Sequence, residues 1–260
     1  HGVADMSAVS LTITDAIAEL HLDNPSKLNA LTTQMLDDLS SHLDEIERNS
    51  AVRVVLLTAA PCKAFCAGAD IIAWGQLSPA EFVRHWVRHG HRIFDRLTRL
   101  GKPTIAVINA HAFGGGLELA ACCDIRIMAP RATLALPEAK VGIVPGWSGT
   151  QRLTRLIGEP AVKEMALFGQ RIVANRAVTL GFACEVADDP HARALELAHD
   201  ACTLSPRATE IAKNMIHAGA GEDHAALIEA LGSAAISATD DRQEGVGAFE
   251  QKRAAKFSGA

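Results

Sequence analysis

Apolar Ala18, Leu20 and Leu22 alternate with polar Glu19 and His21, a period of two that predicts a half-buried strand over 18–22. A shorter strand is predicted before it, over 11–13, and Asp23-Asn24-Pro25-Ser26 supplies a turn cluster after it. The period then becomes helical. Leu36, Leu39, Leu43 and Ile46 share one face of a helix predicted over 33–48, with Thr32 as its N-cap. Residues 52–58 and 104–109 are nearly continuous apolar runs, the pattern of strands covered on both sheet faces. Between them one long helix is predicted over 79–100, capped by Ser78. A short helix over 116–122 and strands over 125–128 and 133–136 follow. Beyond Gly149 the pattern is mainly helical, over 149–157, 160–168, 175–180, 191–203, 206–217, 223–238 and 240–256, with a short strand over 184–187. Strands alternating with helices, then helices alone, predict an α/β core followed by a helical C-terminal module.

Composition narrows this picture. At 260 residues, 48% hydrophobic and 21% charged, the chain suits one large domain or a core domain with a helical appendage. No apolar run reaches the roughly 20 residues that cross a bilayer, and no basic segment leads into an apolar one at the start. No membrane partner and no secretion are therefore expected, and the expected compartment is the cytoplasm. His1 to Asp5, ahead of Met6, read as the remnant of an expression tag and are excluded from fold reasoning. The formal net charge of −5 argues against nucleic acid as the main partner. The six cysteines, Cys122 and Cys123 adjacent among them, do not resemble a disulfide framework. Cys62 and Cys66 lack a second pair to complete a zinc site, so buried reduced thiols and no metal are expected. His85 and His89 are four residues apart with His91 nearby, but without the acid of a zinc-protease pattern they read as surface or packing residues.

Candidate chemistry lies in two glycine-rich turns, each straight after an apolar strand. Lys63-Ala64-Phe65-Cys66-Ala67-Gly68-Ala69-Asp70 follows the run 52–58, and Phe113-Gly114-Gly115-Gly116-Leu117-Glu118 follows the run 104–109. Glycine lets a backbone turn sharply and lets another group approach its N–H. Two such turns on neighbouring strands can aim one N–H each at a single oxygen, an oxyanion hole for a carbonyl that gains negative charge.

Asn24 to Leu31, Ala67-Gly68-Ala69-Asp70, Gly114 to Ala120, Pro137-Glu138, Gly149-Thr150-Gln151-Arg152-Leu153 and the ending Asp241-Arg242-Gln243-Glu244-Gly245 with Phe249 to Arg253 occur in order over nearly the whole chain. Together they resemble the crotonase superfamily, and within it the enoyl-CoA hydratase pattern. The resemblance implies a spiral of ββα repeats over 10–200, after a tag remnant and lead at 1–9, with a helical trimerisation region over 201–260. It implies a homotrimer or a hexamer made of two trimers. The substrate implied is an acyl-coenzyme A thioester, with no separate cofactor. Carried over by position, the hole donors are the amides of Ala69 and Gly115. Glu118 activates water and Glu138 delivers a proton to the α-carbon. Main chain around Lys27 and Leu28, and from Ala67 through Gly68 and Asp70 to Ile71, would hold coenzyme A, with Phe249 and Lys252 reaching its nucleotide.

Other readings stand beside these. Glu118 alone would complement a helix dipole, and Glu138 alone would be an exposed turn acid. An enoyl-CoA isomerase tends to retain only the acid at the Glu138 position, so Glu118 favours a hydratase; another acyl-CoA lyase and a non-catalytic or RNA-binding relative remain as rivals. Ala110 stands where the family usually has glycine. Trp147 and Ser148 interrupt a stretch of small residues, so that Trp147 either reshapes the acyl pocket or packs away from substrate.

Overall fold

The structure, a computed structural model, describes residues 7–260; the proposed tag remnant lies outside the described residues. The chain divides into two compact units, residues up to Thr209 and Glu210–Ala260.

The first unit opens with β1 (Ala8–Thr14), β2 (Ile17–Asp23) and α1 (Thr33–Arg48). Next come β3 (Val54–Ala59), β4 (Ala64–Cys66), α2 (Ile71–Gly75), the single turn α3 (Pro79–Glu81), α4 (Arg88–Arg99), β5 (Thr104–Ile108), β6 (His111–Phe113) and α5 (Gly115–Ala120). After them run β7 (Ile125–Met128), β8 (Thr133–Ala135), α6 (Arg152–Ile157), α7 (Glu159–Phe168), β9 (Ile172–Val173), α8 (Ala174–Thr179), β10 (Glu185–Val186) and α9 (Pro190–Cys202).

From β3 to β8 successive strands go alternately to two sheets. One has the order β1-β2-β3-β5-β7-β10 and the other β4-β6-β8-β9. Each repeat thus gives one strand to each sheet before a helix or turn returns the chain, which is the ββα spiral. β2, β3, β5, β7 and β10 run parallel, and β1 alone opposes its neighbour in that sheet. In β3 every residue is buried because the sheet is covered on both faces. Val55 and Leu57 face the main core, while Val54 and Leu56 face a second cluster with Ala194 and Ala198 of α9. The helical stripe of α1 behaves as its periodicity predicts: Leu36, Leu39, Leu43 and Ile46 are buried, and Thr32 Oγ1 accepts from Met35 N–H.

The single helix predicted over 79–100 is broken. Ser78 and Glu81 form a capping box on one turn, and Phe82–Val87 then winds as a wider π-helix before α4. The wider turn brings Trp86 inward, 5% exposed, onto the core.

Helix α10 (Pro206–Gly219) runs into the second unit, which continues with α11 (His224–Ser237) and α12 (Asp240–Glu250). The helix predicted to reach residue 256 stops at Glu250. Glu244 takes both guanidinium nitrogens of Arg253, at 2.6 and 2.8 Å, and the Lys256 amide at 2.7 Å, folding the tail back. Ile228, Ile236, Val246 and Phe249 are exposed in this unit. Among the described residues no helix is long and apolar enough to cross a membrane.

Candidate active site

The short strands β4, β6 and β8 lie side by side and parallel, in the register Cys66 to Ala112 and Phe113 to Ala135. Their C-terminal ends therefore emerge together. Ala69 follows β4, Gly115 follows β6 and Glu138 follows β8, so three chain positions far apart in sequence are delivered to one rim by pairing alone.

Backbone geometry aims two amides into that rim. Ala69 forms a parallel bridge with Leu31. Its neighbours supply the hydrogen bonds: Leu31 N–H donates to Gly68 O and Asp70 N–H donates to Leu31 O, both at 2.8 Å. Successive amides of an extended chain alternate in direction, so the Ala69 N–H points away from Leu31. Gly114 adopts φ 51°, ψ −124°, a conformation open essentially to glycine, and caps α5. Gly115 is then the first helical residue, whose N–H has no partner within the helix. The two turns abut: a Cβ on Gly68 would lie 3.5 Å from Gly115 N, and one on Gly115 would lie 3.5 Å from Ala69 N.

Two carboxyl groups flank this point. Glu118, on the first turn of α5, is 3% exposed, and Glu138, just after Pro137, is 8% exposed. Glu118 Oε1 accepts from the amides of Trp147 at 2.9 Å and Gly149 at 2.7 Å. Burial raises its pKa to about 7, helped by the charge of Glu138, against the lowering effect of those two amides and of Arg152. Burial also raises Glu138. A Cβ on Gly114 would lie 2.9 Å from Glu138 Oε1, and Glu138 Oε2 is buried with no hydrogen-bond partner. Near neutral pH Glu118 is thus only partly ionised, and burial shifts Glu138 in the same direction. The pair can serve as one base and one acid beside two amide donors.

Among the other residues singled out from sequence, Lys27 ends a 3-10 turn with its Nζ 3.1 Å from Asp70 Oδ2. Leu28 is left-handed (φ 56°), and its carbonyl accepts from Ala67 N–H at 3.0 Å. Asp70 caps α2 by accepting from Ile72 N–H at 3.0 Å, and Ile71 is exposed. Lys27 to Leu31 and Ala67 to Ile71 are therefore adjacent segments. Phe249 is exposed on α12 and Lys252 lies just past it (φ 52°), both in the second unit. Trp147 is 3% exposed, with its ring on Gly90, Gly115 and Phe94. Sequence reasoning named no role for Gly149, whose amide holds Glu118 and whose Cβ would meet Glu118 Oε1 at 2.7 Å. It also missed Asn29, fully buried, which ties Asn24, Ala60 and Ala64 together. Their signals were present in the Gly149 to Leu153 and Lys27 to Leu31 motifs, but without a partner to give them meaning. Among the described residues no group of three potential metal ligands is assembled.

The family model for enoyl-CoA hydratase/isomerase matches residues 12–260. A short-chain-enoyl-CoA hydratase of Clostridium acetobutylicum is 34% identical over 253 residues, spanning 96% of this chain and 97% of its own length. The mitochondrial enoyl-CoA hydratase of Pongo abelii is 36% identical over 252 residues, spanning 94% of this chain and 84% of its own. The crystal structure of an enoyl-CoA hydratase from Bacillus anthracis matches with a TM-score of 0.79 at 35% identity, over 97% of this chain and 99% of the other.

Proposed function

The chain belongs to the enoyl-CoA hydratase/isomerase family of the crotonase superfamily, and from that membership we propose that it adds water across the 2,3 double bond of an enoyl-CoA thioester. The thioester oxygen lies between the amides of Ala69 and Gly115. Glu118, ionised, takes a proton from water as the oxygen of that water bonds to the β-carbon. The electrons of the double bond move toward the carbonyl, and the resulting enolate oxygen is stabilised by the two amides. Each such donor is worth about 2.7–4 kcal/mol of barrier. Glu138, protonated, then gives its proton to the α-carbon, and the proton that Glu118 gained passes to Glu138, directly or by exchange with solvent, before the next substrate reacts. Hydration is redox-neutral overall, so the reaction needs no redox cofactor, and coenzyme A enters only as part of the substrate.

The observation that supports this best is the fixed position of Glu118. Two backbone amides hold one oxygen of a carboxyl group that a proton shuttle between carbons would not need. That favours hydration over double-bond isomerisation, and two buried titratable acids weigh against a non-catalytic or RNA-binding role. The adjacent segments from Lys27 to Leu28 and Ala67 to Ile71 would line the pantetheine and adenine, and by the family pattern Phe249 and Lys252 would reach a nucleotide, often that of a neighbouring subunit. Exposed apolar residues of the second unit support a trimer or hexamer, and free cysteines suit a reducing cytoplasm. Loss of enoyl absorbance with crotonyl-CoA is the direct test. Purified protein that leaves the absorbance unchanged, while a known hydratase removes it, would refute the proposal.

A further inference from the structure

Beyond the donors and the acids, one residue touches both parts of the site, Gly115 with its ring and Glu118 with its backbone amide. The six-membered ring of Trp147 lies against Gly115, where a Cβ would meet Cζ3 at 2.7 Å and Cε3 at 2.9 Å. The same imagined Cβ is 3.5 Å from Ala69 N, so the indole edge borders the space between the two amides. Meanwhile the Trp147 backbone N–H holds Glu118.

The indole is wedged rather than loosely placed. On its far side lies the helical stretch that carries Trp86, Gly90 and Phe94 at every fourth position, one face of a helix. A Cβ on Gly90 would collide with Trp147 Nε1, so only glycine leaves room for the ring. The Phe94 and Trp86 rings contact it with centroids at 4.9 and 5.6 Å, and its Nε1–H donates to Trp86 O at 3.4 Å. The next residue, Ser148, places its Oγ 3.0 Å from His91 Nδ1 on the same helix. Trp147 is thereby fixed as a wall of the rim and is not poised to swing.

On the hydratase reading, on which this inference rests, Glu118 acts at the β-carbon. An acyl tail continuing beyond that carbon leaves on the Glu118 side and meets the residue whose amide holds Glu118. We propose that Trp147 closes the acyl end of the site and restricts it to short enoyl chains. Gly90 is the complementary position that admits the ring.

The test compares binding of butyryl-CoA and decanoyl-CoA by isothermal titration calorimetry to the full chain and to Trp147→Ala and Trp147→Phe. The wild type is expected to bind decanoyl-CoA at least about tenfold more weakly than butyryl-CoA. Trp147→Ala is expected to shift that ratio at least about tenfold toward decanoyl-CoA, since the longer tail then gains apolar burial. Trp147→Phe should lie between the two. A ratio that stays within about twofold across all three proteins overturns the proposal, as does a wild type that already binds both ligands equally. If circular dichroism shows that Trp147→Ala does not fold, Trp147→Phe decides by the direction of its shift. Saturated thioesters report the wall without turnover. A moved ratio in a protein that does not hydrate crotonyl-CoA refutes the reaction and keeps the wall. An unmoved ratio in an active enzyme refutes the wall alone.

Discussion

At Glu118, burial and the neighbouring Glu138 charge outweigh two amide hydrogen bonds and an arginine, so its pKa stands at about 7 and not 4.5. A base must be ionised to work, so kcat/KM on crotonyl-CoA is expected to fall as pH drops below about 7; a pH–rate profile that stays flat from pH 5 to 8 would contradict this. Glu118→Gln and Glu138→Gln should each lower kcat by about 10²–10⁴-fold, measured on the same substrate. Stability moves the other way. A carboxyl group whose pKa is raised by folding gives its full stability below the unfolded value and loses it as pH rises through the folded one. Ionising Glu118 therefore costs the fold on the order of 3 kcal/mol above pH 7. Glu118→Gln is expected to unfold at a higher temperature than the wild type near pH 8 and to lose that advantage near pH 4.5, as thermal melts at both values would reveal. Both glutamates were legible from sequence because they sit in ordered motifs. The amides that hold Glu118 were not, since a backbone donor leaves no letter in a sequence beyond the glycine at 149.

The elements that carry long periodic stripes were legible too: α1, β2, β3 and β5 formed where the pattern placed them. The three-residue strands β4 and β6 were not, being too short for any period to show, yet with β8 they set the whole geometry of the rim. The π-helical stretch also escaped, because an extra residue per turn leaves the apolar spacing nearly helical. Gly114 is the hinge between β6 and α5. Gly114→Ala adds strain at φ 51° and drives a Cβ to 2.9 Å from Glu138 Oε1, so it is expected to reduce turnover sharply, with crotonyl-CoA kinetics as the measure. Gly115→Pro removes a donor amide, but any Cβ at that position also strikes Trp147. Gly115→Ala supplies the control for the collision. The further loss of kcat in the proline variant is expected to be about 10²–10³-fold, which isolates the amide.

At the scale of the molecule, the α/β-then-helical order was readable from the run of elements, and the exposed apolar residues of the second unit give assembly a physical motive. Light scattering is expected to find a trimer or hexamer, and Ile228→Asp with Ile236→Asp to reduce it to smaller species. A wild type that elutes as a monomer would remove that reading. The bridge from Leu31 to Ala69 has one more effect. On the proposed reading, a handle gripped by the stretch from Lys27 to Leu28 would pull on the same backbone ladder that orients the Ala69 amide toward the reacting carbonyl. A clipped thioester carrying N-acetylcysteamine in place of the nucleotide tail should therefore react slowly even at saturation, because the leverage that tightens the reactive end is missing.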